Sequence, residues 1–326
     1  MTDAAPETPR PSAFETAKRW TVRVLPFVLL AGAAWVIWRE LHHLSVHEME
    51  HALRHWGWAG VGASVFCVVL SYLSLAVNEW AGLRWAGARV PMKTVLWGSF
   101  CLNAFAHSLG TAVLVGAAVR LRVYAPWRVT LAEIVKTTAF CNVSFSLGMA
   151  GIAGGGLLTA PASHLLAVHL QPEIARWAGA LLLAAILAYI VLCAAVRGTL
   201  SLFGHAFVLP SWRWAVAQTA IGVIDNILTV LIAWTLLPLG LVGLGAFTGA
   251  FAVATVTGVV SSVPGGAGVF ESVLLTLLPG VRRAPLVAAF LGYRLFYFII
   301  PLIMAGIMMA LQRKAPAAPE PSSGNG

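Results

Sequence analysis

The chain has 326 residues, of which 59% are hydrophobic and only 10% are charged, and its mean hydropathy is +0.84. Globular domains are about 45–50% apolar and about a quarter charged, so this composition excludes an ordinary soluble fold. The apolar residues occur in long blocks, and about 20 such residues are enough to cross the hydrocarbon layer of a membrane. The net charge of +9 lies mainly between the blocks, where basic residues set topology, so no nucleic-acid partner is expected.

The polar, proline-rich residues 1–20 are predicted to be a disordered cytoplasmic N-terminus. Residues 21–38 follow as an apolar block that ends in "WVIWRE" without a small-residue cleavage site, which indicates a retained span and not a signal peptide. Residues 313–326 are predicted to be a disordered tail. The transmembrane domain is therefore expected to cover residues 21–312.

Four histidines recur every four residues after the first block, at His43, His47, His51 and His55. This spacing predicts an amphipathic helix lying on the outer membrane surface. A His pair one turn apart can also bind a metal ion, but no carboxylate is clearly placed to complete a site. We therefore expect no metal site.

The chain contains about eight apolar blocks. If every block crossed the membrane, several loops rich in arginine would lie on the outer side. Arginines after the third and fifth blocks would then lie outside, against the positive-inside rule. The blocks are 21–38, 58–78, 94–118, 129–150, 174–196, 214–237, 243–262 and 286–311.

Two re-entrant hairpins remove most of this conflict. Residues 94–118 would enter and leave on the cytoplasmic side, with a polar tip near Asn103, His107 and Ser108. Each arm of about 12 residues would reach roughly 18 Å, which does not cross the bilayer. Residues 243–280 would form the second hairpin from the outer side, tipped by Pro264-Gly265-Gly266.

The two hairpins together predict a topology. Residues 119–128 and 197–213 become cytoplasmic, as do both termini, while residues 39–57 and 151–173 become external. Broken helices that enter from opposite faces are typical of an inverted repeat around a midplane site. The fold class expected is an all-α polytopic membrane bundle.

Ionisable residues inside apolar blocks are the strongest functional signals, since each is costly at the bilayer centre unless it is paired. Arg294 is expected to pair with Asp225 or Glu271. Two interpretations stay open: a static pair that locks helices, or an arginine that holds a lipid phosphate while the acids tune it or carry protons. The full set is Glu79, Glu133, Lys136, Asp225, Glu271 and Arg294.

The segment "RLRVYAPWR" places Arg120 and Arg122 at the membrane interface. These arginines orient the protein and contact anionic lipid, or they capture a head-group phosphate. No Walker loop, HExxH or GxSxG motif is present, and no nucleophile–base pair or metal triad is evident. No catalytic residue and no cofactor are therefore expected.

"SSVPGGAGVFE", followed about 20 residues later by "YRLFYFIIPLIMAG" and preceded upstream by "RLRVY", resembles the lysylphosphatidylglycerol synthase transmembrane family. This flippase-like family includes YbhN-type proteins and the N-terminal flippase region of MprF-type synthases. The resemblance covers residues 20–312 and implies a multi-pass protein of the cytoplasmic membrane that moves a lipid between leaflets. The matching residues are Pro264, Gly265, Gly266, Gly268, Glu271, Tyr293, Arg294, Tyr297, Pro301, Arg120, Arg122 and Tyr124.

Together these signals predict a protein that binds or translocates a phospholipid or a related anionic or polyprenyl lipid. The chain departs from the fused synthases by lacking a synthase domain, so aminoacyl transfer is not expected. The alternative is a non-transporting scaffold of a lipid-synthesising enzyme, and the expected partners are membrane lipids, such an enzyme or a second copy of the chain. The predicted phosphate-binding residues are Arg294, Arg120, Arg122, Gly265, Gly266 and Gly268, and the predicted charge-tuning residues are Glu271, Asp225, Tyr293 and Tyr297.

Overall fold

The computed structural model describes residues 56–311 apart from 110–111, 168, 197–198, 203–204, 262, 264–265 and 267. Residues 1–20, the span at 21–38, the four histidines and the tail at 313–326 lie outside the described residues. The expectations for those segments stay predictions.

The described chain is almost entirely helical. Its helices are α1 (Trp58–Ala86), α2 (Met92–Leu109), α3 (Ala112–Val123), α4 (Leu131–Thr159), α5 (Ala162–Ala167), α6 (Pro172–Ala195), α7 (Trp212–Trp234), α8 (Leu244–Val260), α9 (Val269–Leu277), α10 (Arg283–Arg294) and α11 (Ile300–Leu311), with a π-helical turn at Leu295–Ile299 and a 3₁₀ turn at Ala125–Trp127.

Local sequence accounts for several helix ends. The α4 helix starts with a capping box, in which the Thr130 hydroxyl accepts from the Glu133 amide and the Glu133 carboxylate accepts from the Thr130 amide. Pro172 occupies the first position of α6, where its missing amide proton costs nothing. Gly87 ends α1 in the left-handed conformation that glycine adopts without a steric penalty.

A short antiparallel pair, β1 (Thr199–Leu202) and β2 (His205–Val208), joins α6 to α7. Thr199 pairs with Val208 and Leu202 with His205. The sequence did not predict this hairpin. It is an addition to a helical fold and lies in a segment predicted to be cytoplasmic.

Five stretches of helix in the described chain are long and apolar enough to cross a membrane: α1, α4, α6, α7 and the α10–α11 unit that continues through the π turn. The helices are longer than the predicted blocks. In particular, α4 runs to Thr159, so residues 151–159 of the segment expected to be external are helical. A helix of 29 residues is about 44 Å long, which exceeds the hydrocarbon thickness.

Both segments predicted to be re-entrant consist of two helices joined by a break. The first hairpin is α2 and α3, which pack against each other, and the second is α8 and α9. The predicted tip of the first hairpin was placed too early. Asn103 and Ser108 lie inside α2 and donate hydrogen bonds to the carbonyl oxygens of Ser99 and Ala104, one turn back. The helix ends at Leu109 instead.

The order of span, hairpin and span occurs twice, as α1–(α2, α3)–α4 and as α7–(α8, α9)–(α10, α11). The first spans of the two units, α1 and α7, pack together. The second span of each unit packs against the hairpin of the other, since α4 contacts α8 and α11 contacts α2. This crossed packing joins the two units into one bundle, and the inverted orientation of the units stays a prediction.

Candidate functional site at the hairpin tips

The second hairpin ends in a carboxylate that makes two different contacts. Oε2 of Glu271 accepts a hydrogen bond from the Gly268 amide at 2.8 Å, at the start of α9. Its Oε1 is 2.6 Å from both Nε and Nη2 of Arg294, at the end of α10. Of the two partners that the sequence left open for Arg294, the structure selects Glu271. The carboxylate therefore joins the hairpin turn to the last membrane-spanning unit.

The turn before α9 depends on glycine. Gly266 and Gly268 have φ values of +63° and +82°, in the left-handed region that side chains with a Cβ rarely adopt. Gly266 also approaches the backbone of Gly258 on α8, which limits the space beside it. Pro264 and Gly265, the other predicted tip residues, lie outside the described residues. The amide end of α9 carries partial positive charge, which favours the Glu271 carboxylate or another anion there.

An aromatic row connects the tips of the two hairpins. The ring of Phe270 stacks on Tyr293 at 5.8 Å, Tyr293 stacks on Tyr297 at 5.6 Å, and Tyr297 stacks on His107 at 5.2 Å. Phe270 belongs to the second hairpin and His107 to the first, while both tyrosines lie on the last unit. Tyr297 is inside the π turn, a distortion that is frequent at functional sites. We call these four residues the aromatic row.

Asp225 lies beside the aromatic row, near the middle of α7. The Ser71 hydroxyl on α1 donates to its Oδ1 at 2.6 Å, and the same Ser71 oxygen is 3.3 Å from the Tyr297 hydroxyl. Tyr72 donates to the Tyr297 carbonyl oxygen at 3.2 Å. Asp225 is buried, with 8% exposure. The sequence predicted Asp225, but Ser71 and Tyr72 carried no signal because hydroxyl residues are common in membrane helices.

The upstream arginine is held in a second ion pair. Nε and Nη2 of Arg120 bond the two carboxylate oxygens of Glu79 at 2.9 and 2.7 Å, and its Nη1 donates to Thr138 at 2.9 Å. The Tyr124 hydroxyl donates to Glu79 at 3.1 Å. Burial raises the pKa of Tyr124, and the neighbouring Glu79 carboxylate raises it further, so the hydroxyl keeps the proton that it donates.

Arg120 and Glu79 are both buried, with 4% and 2% of their side chains exposed. Arg122, two residues further on, is half-buried. These arginines lie at the end of α3, in a different place from the Arg294 pair. The structure thus does not gather all the predicted phosphate ligands into one site, and the phosphate role of Arg120 and Arg122 stays a prediction.

The chemistry available at the tips is ionic and hydrogen-bonding. A guanidinium, the Gly268 amide and a carboxylate meet next to the stacked rings of Tyr293 and Tyr297, whereas the Gly266 amide donates to the Val263 carbonyl oxygen. In the described part of the chain, no three His, Cys, Asp or Glu side chains are close enough together to hold a metal ion. This arrangement suits reversible binding of an anion.

Sequence comparisons relate this chain to proteins of several bacteria. An uncharacterized protein of Synechocystis is 30% identical over 290 residues, covering 82% of this chain and 87% of the relative. The inner membrane protein YbhN of Escherichia coli is 29% identical over 271 residues, covering 81% and 83%. The chain belongs to the YbhN-type membrane protein family. No protein-family profile matches it.

A third relative connects this YbhN-type chain to a larger enzyme. The phosphatidylglycerol lysyltransferase of Staphylococcus haemolyticus is 24% identical over 311 residues, which cover 91% of this chain but only 35% of that enzyme. The resemblance to the flippase-like family is therefore confirmed across most of the chain. The chain is a polytopic helical membrane protein, and its relationship to a lipid-modifying enzyme gives its family a connection to lipids.

Proposed function

We propose that this YbhN-type protein binds the phosphate of an anionic lipid at the tip of the second hairpin and passes the lipid between leaflets. The observation that carries the proposal is the Glu271 carboxylate, which holds both the Gly268 amide and the Arg294 guanidinium. Both groups are good hydrogen-bond donors to a phosphate oxygen. The carboxylate occupies the place that such an oxygen would take.

Exchange of one anion for another keeps the positive charge of Arg294 paired throughout. An arriving phosphate competes with Glu271 for Arg294 and for the amides of the turn, so the charged arginine is never left unpaired at membrane depth. Release of Glu271 loosens the hairpin from α10, and departure of the lipid restores the contact. The binding step therefore moves the hairpin without any covalent chemistry.

The position of the pair suits a lipid head group in transit. Arg294 is the last residue of α10, which begins at Arg283, so it lies about 17 Å along the helix from that end. This is more than half of a hydrocarbon layer of about 30 Å. Side-chain exposures of 11% for Arg294 and 23% for Glu271 leave the pair accessible to a small group. The acyl chains stay in the bilayer during the passage.

The test is reconstitution into liposomes with fluorescent lipids: phosphatidylglycerol, phosphatidylethanolamine, a polyprenyl phosphate and the neutral diacylglycerol. Movement of at least one phosphate lipid is expected to depend on the protein, whereas diacylglycerol, which crosses a bilayer unaided, should move no faster with the protein than without it. Arg294→Ala should abolish it, whereas Arg283→Ala, at the exposed start of the same helix, should not. No movement of any lipid, or an Arg294→Ala variant as active as the wild type, would contradict the proposal.

Loss of folding must be separated from loss of binding, because Arg294→Ala leaves the carboxylate of Glu271 without its partner. Arg294→Lys keeps the positive charge but removes the planar fork that binds two oxygens at once. We expect the melting temperature of Arg294→Lys to lie closer to that of the wild type than the melting temperature of Arg294→Ala does. We also expect Arg294→Lys to bind the phosphate lipid more weakly than the wild type. A scaffold role would leave both variants able to support the partner enzyme wherever they fold.

A further inference from the structure

Asp225 is a carboxyl group that the exchange of phosphate and Glu271 does not use. It is the fourteenth residue of α7, which has 23 residues, and its partner Ser71 is the fourteenth of the 29 residues of α1. Both therefore lie near the middle of helices long enough to cross the membrane. A carboxyl at this depth is costly and is functional by default.

The partners of Asp225 differ from those of Glu79 and Glu271. Glu79 and Glu271 each bond an arginine, whereas no ion pair to Asp225 occurs within the described residues. Its hydrogen-bond donor is the Ser71 hydroxyl, and Ser71 in turn contacts the Tyr297 hydroxyl. Carboxyl groups inside membrane helices mark ion pathways and proton relays, and a carboxyl without a cation partner can gain a proton without breaking an ion pair.

We propose that Asp225 is the proton-binding site that couples lipid movement to a transmembrane proton gradient. The inference rests on the proposed function, because it names the ion that drives the same hairpin site. One proton bound and released at Asp225 accompanies each lipid that exchanges with Glu271. No other reactant is needed, since the proton comes from water on one side and leaves to water on the other.

The coupling runs through a hydroxyl chain that changes direction. An ionised Asp225 only accepts, so Ser71 donates to it and the Ser71 oxygen is free to accept from Tyr297. A protonated Asp225 can itself donate to Ser71, and the Ser71 hydrogen is then free to donate to the Tyr297 hydroxyl, which reverses the direction of the chain. Tyr297 belongs to the aromatic row and stacks on Tyr293, the residue next to Arg294. The protonation state of Asp225 thus reaches the residue next to Arg294 over three contacts, through Ser71, Tyr297 and Tyr293.

Within the described residues, no Arg, Lys or His makes an ion pair or hydrogen bond with Asp225. Arg294 on α10 is bonded to Glu271, and α8 carries no titratable residue. The groups that interact electrostatically with the Asp225 carboxyl are the phenols of Tyr72, Tyr293 and Tyr297. On α4 and α6, the side chains of Cys141 and Tyr189 bond to Glu79 and Gln218 respectively.

The first test uses the liposome assay with a phosphate lipid that the wild type moves. A pH difference of one unit across the membrane, with the potential clamped by valinomycin and potassium, should shift the final lipid distribution up to about tenfold at one proton per lipid. Asp225→Asn keeps an oxygen that accepts from Ser71 but cannot bind the proton. We expect its lipid distribution to ignore the gradient, while Glu173→Gln, an exposed acid at the start of α6, responds like the wild type.

Wild-type lipid movement that ignores the pH gradient would overturn the proton site and leave the proposed function standing. An Asp225→Asn variant that still responds to the gradient would overturn it too. A sodium gradient at equal pH that drives the wild type would assign a cation site instead and also reject the proposal.

A second measurement does not depend on transport. Infrared difference spectra of the detergent-solubilised protein, recorded between acidic and alkaline buffer, should contain a carboxylic acid carbonyl band that Asp225→Asn removes and Glu173→Gln keeps. If no band is lost in Asp225→Asn, the proton site is rejected. If the band is present but no lipid moves in the wild type, the proposed function fails while proton binding at Asp225 stands. Ser71→Ala should shift the same band, because it removes the hydroxyl partner.

Discussion

The two hairpins each carry an arginine–carboxylate pair, and the two pairs are built differently. In the first, Arg120 bonds both oxygens of Glu79, and side-chain exposure is 4% and 2%. In the second, Arg294 bonds one oxygen of Glu271 while the other caps the turn at Gly268, and exposure is 11% and 23%. The first pair is closed to water and the second is partly open.

This difference separates a structural ion pair at the first hairpin from a candidate binding site at the second. The Glu79 carboxylate also accepts a hydrogen bond from Tyr124, and Arg120 also donates one to Thr138. Both charged groups are therefore fully bonded within the protein. A buried pair contributes little net stability, but removing one partner is costly. At the second hairpin, the carboxylate is shared with a backbone amide at a helix start, where another anion can replace it.

The largest effect is expected at the closed pair. Arg120→Ala should destabilise the protein by about 3–5 kcal/mol, because a buried carboxylate at Glu79 is left without its cation. The melting temperature in detergent measures this. The double variant Glu79→Leu with Arg120→Met removes both charges and should recover most of the stability and the lipid movement. A folded double variant that moves no lipid would show that Arg120 binds the phosphate after all.

The next effect is expected at the turn of the open hairpin. Gly266→Leu places a side chain at φ +63°, which costs roughly 1–2 kcal/mol in the left-handed region, and we expect it to abolish lipid movement. Gly62→Leu is the matched control, since Gly62 lies in α1 with no atom near its Cβ position. Full activity of Gly266→Leu in liposomes would mean that the turn does not need glycine.

A smaller effect, on binding, is expected at the carboxylate itself. Glu271→Gln keeps an oxygen for the Gly268 amide but weakens the hold on Arg294, so a lipid phosphate meets less competition. A charge-assisted hydrogen bond is worth about 1.5–3 kcal/mol, so lipid affinity in nanodiscs should rise about tenfold or more while movement in liposomes slows. Glu173→Gln should change neither. Wild-type behaviour of Glu271→Gln in both assays would make the acid structural only.

The smallest effect concerns topology, where no change in stability is expected. In a background without the four native cysteines, Ala125→Cys and Ser211→Cys should react with an impermeant maleimide only after the cells are permeabilised. Leu239→Cys, at 98% exposure between α7 and α8, should react in intact cells. Ala125 and Ser211 are exposed, so burial does not mask the result. External labelling at Ala125 would place the first hairpin on the wrong side.

The sequence predicted the helices and the presence of two breaks, because hydropathy and glycine or proline act locally. It also predicted Arg294, Glu271 and Asp225, since a charge inside an apolar block is visible without any structure. It misplaced the first tip because the polar side chains of Asn103 and Ser108 bond back to their own helix. Polar side chains in an apolar stretch indicate a turn only when they do not bond to their own helix.

Pairing was not available from the sequence. Glu79 and Arg120 are 41 residues apart, Glu271 and Arg294 are 23 apart, and Ser71 and Asp225 are 154 apart. No helical or strand period relates positions at such separations. The contact of Ser71 with Asp225 exists because α1 packs on α7. The end of α10 and the π turn place Tyr293 and Tyr297 between the two hairpins.

By itself, the sequence determined that this chain is a helical membrane protein with broken elements and a few costly charges, because the transfer of each residue from water to lipid depends on that residue and its near neighbours. Only the tertiary structure decided that Glu271 holds Arg294, that Arg120 is locked by Glu79 and that Asp225 has hydroxyl partners. Those partnerships depend on which helices pack together, and packing is a property of the whole bundle.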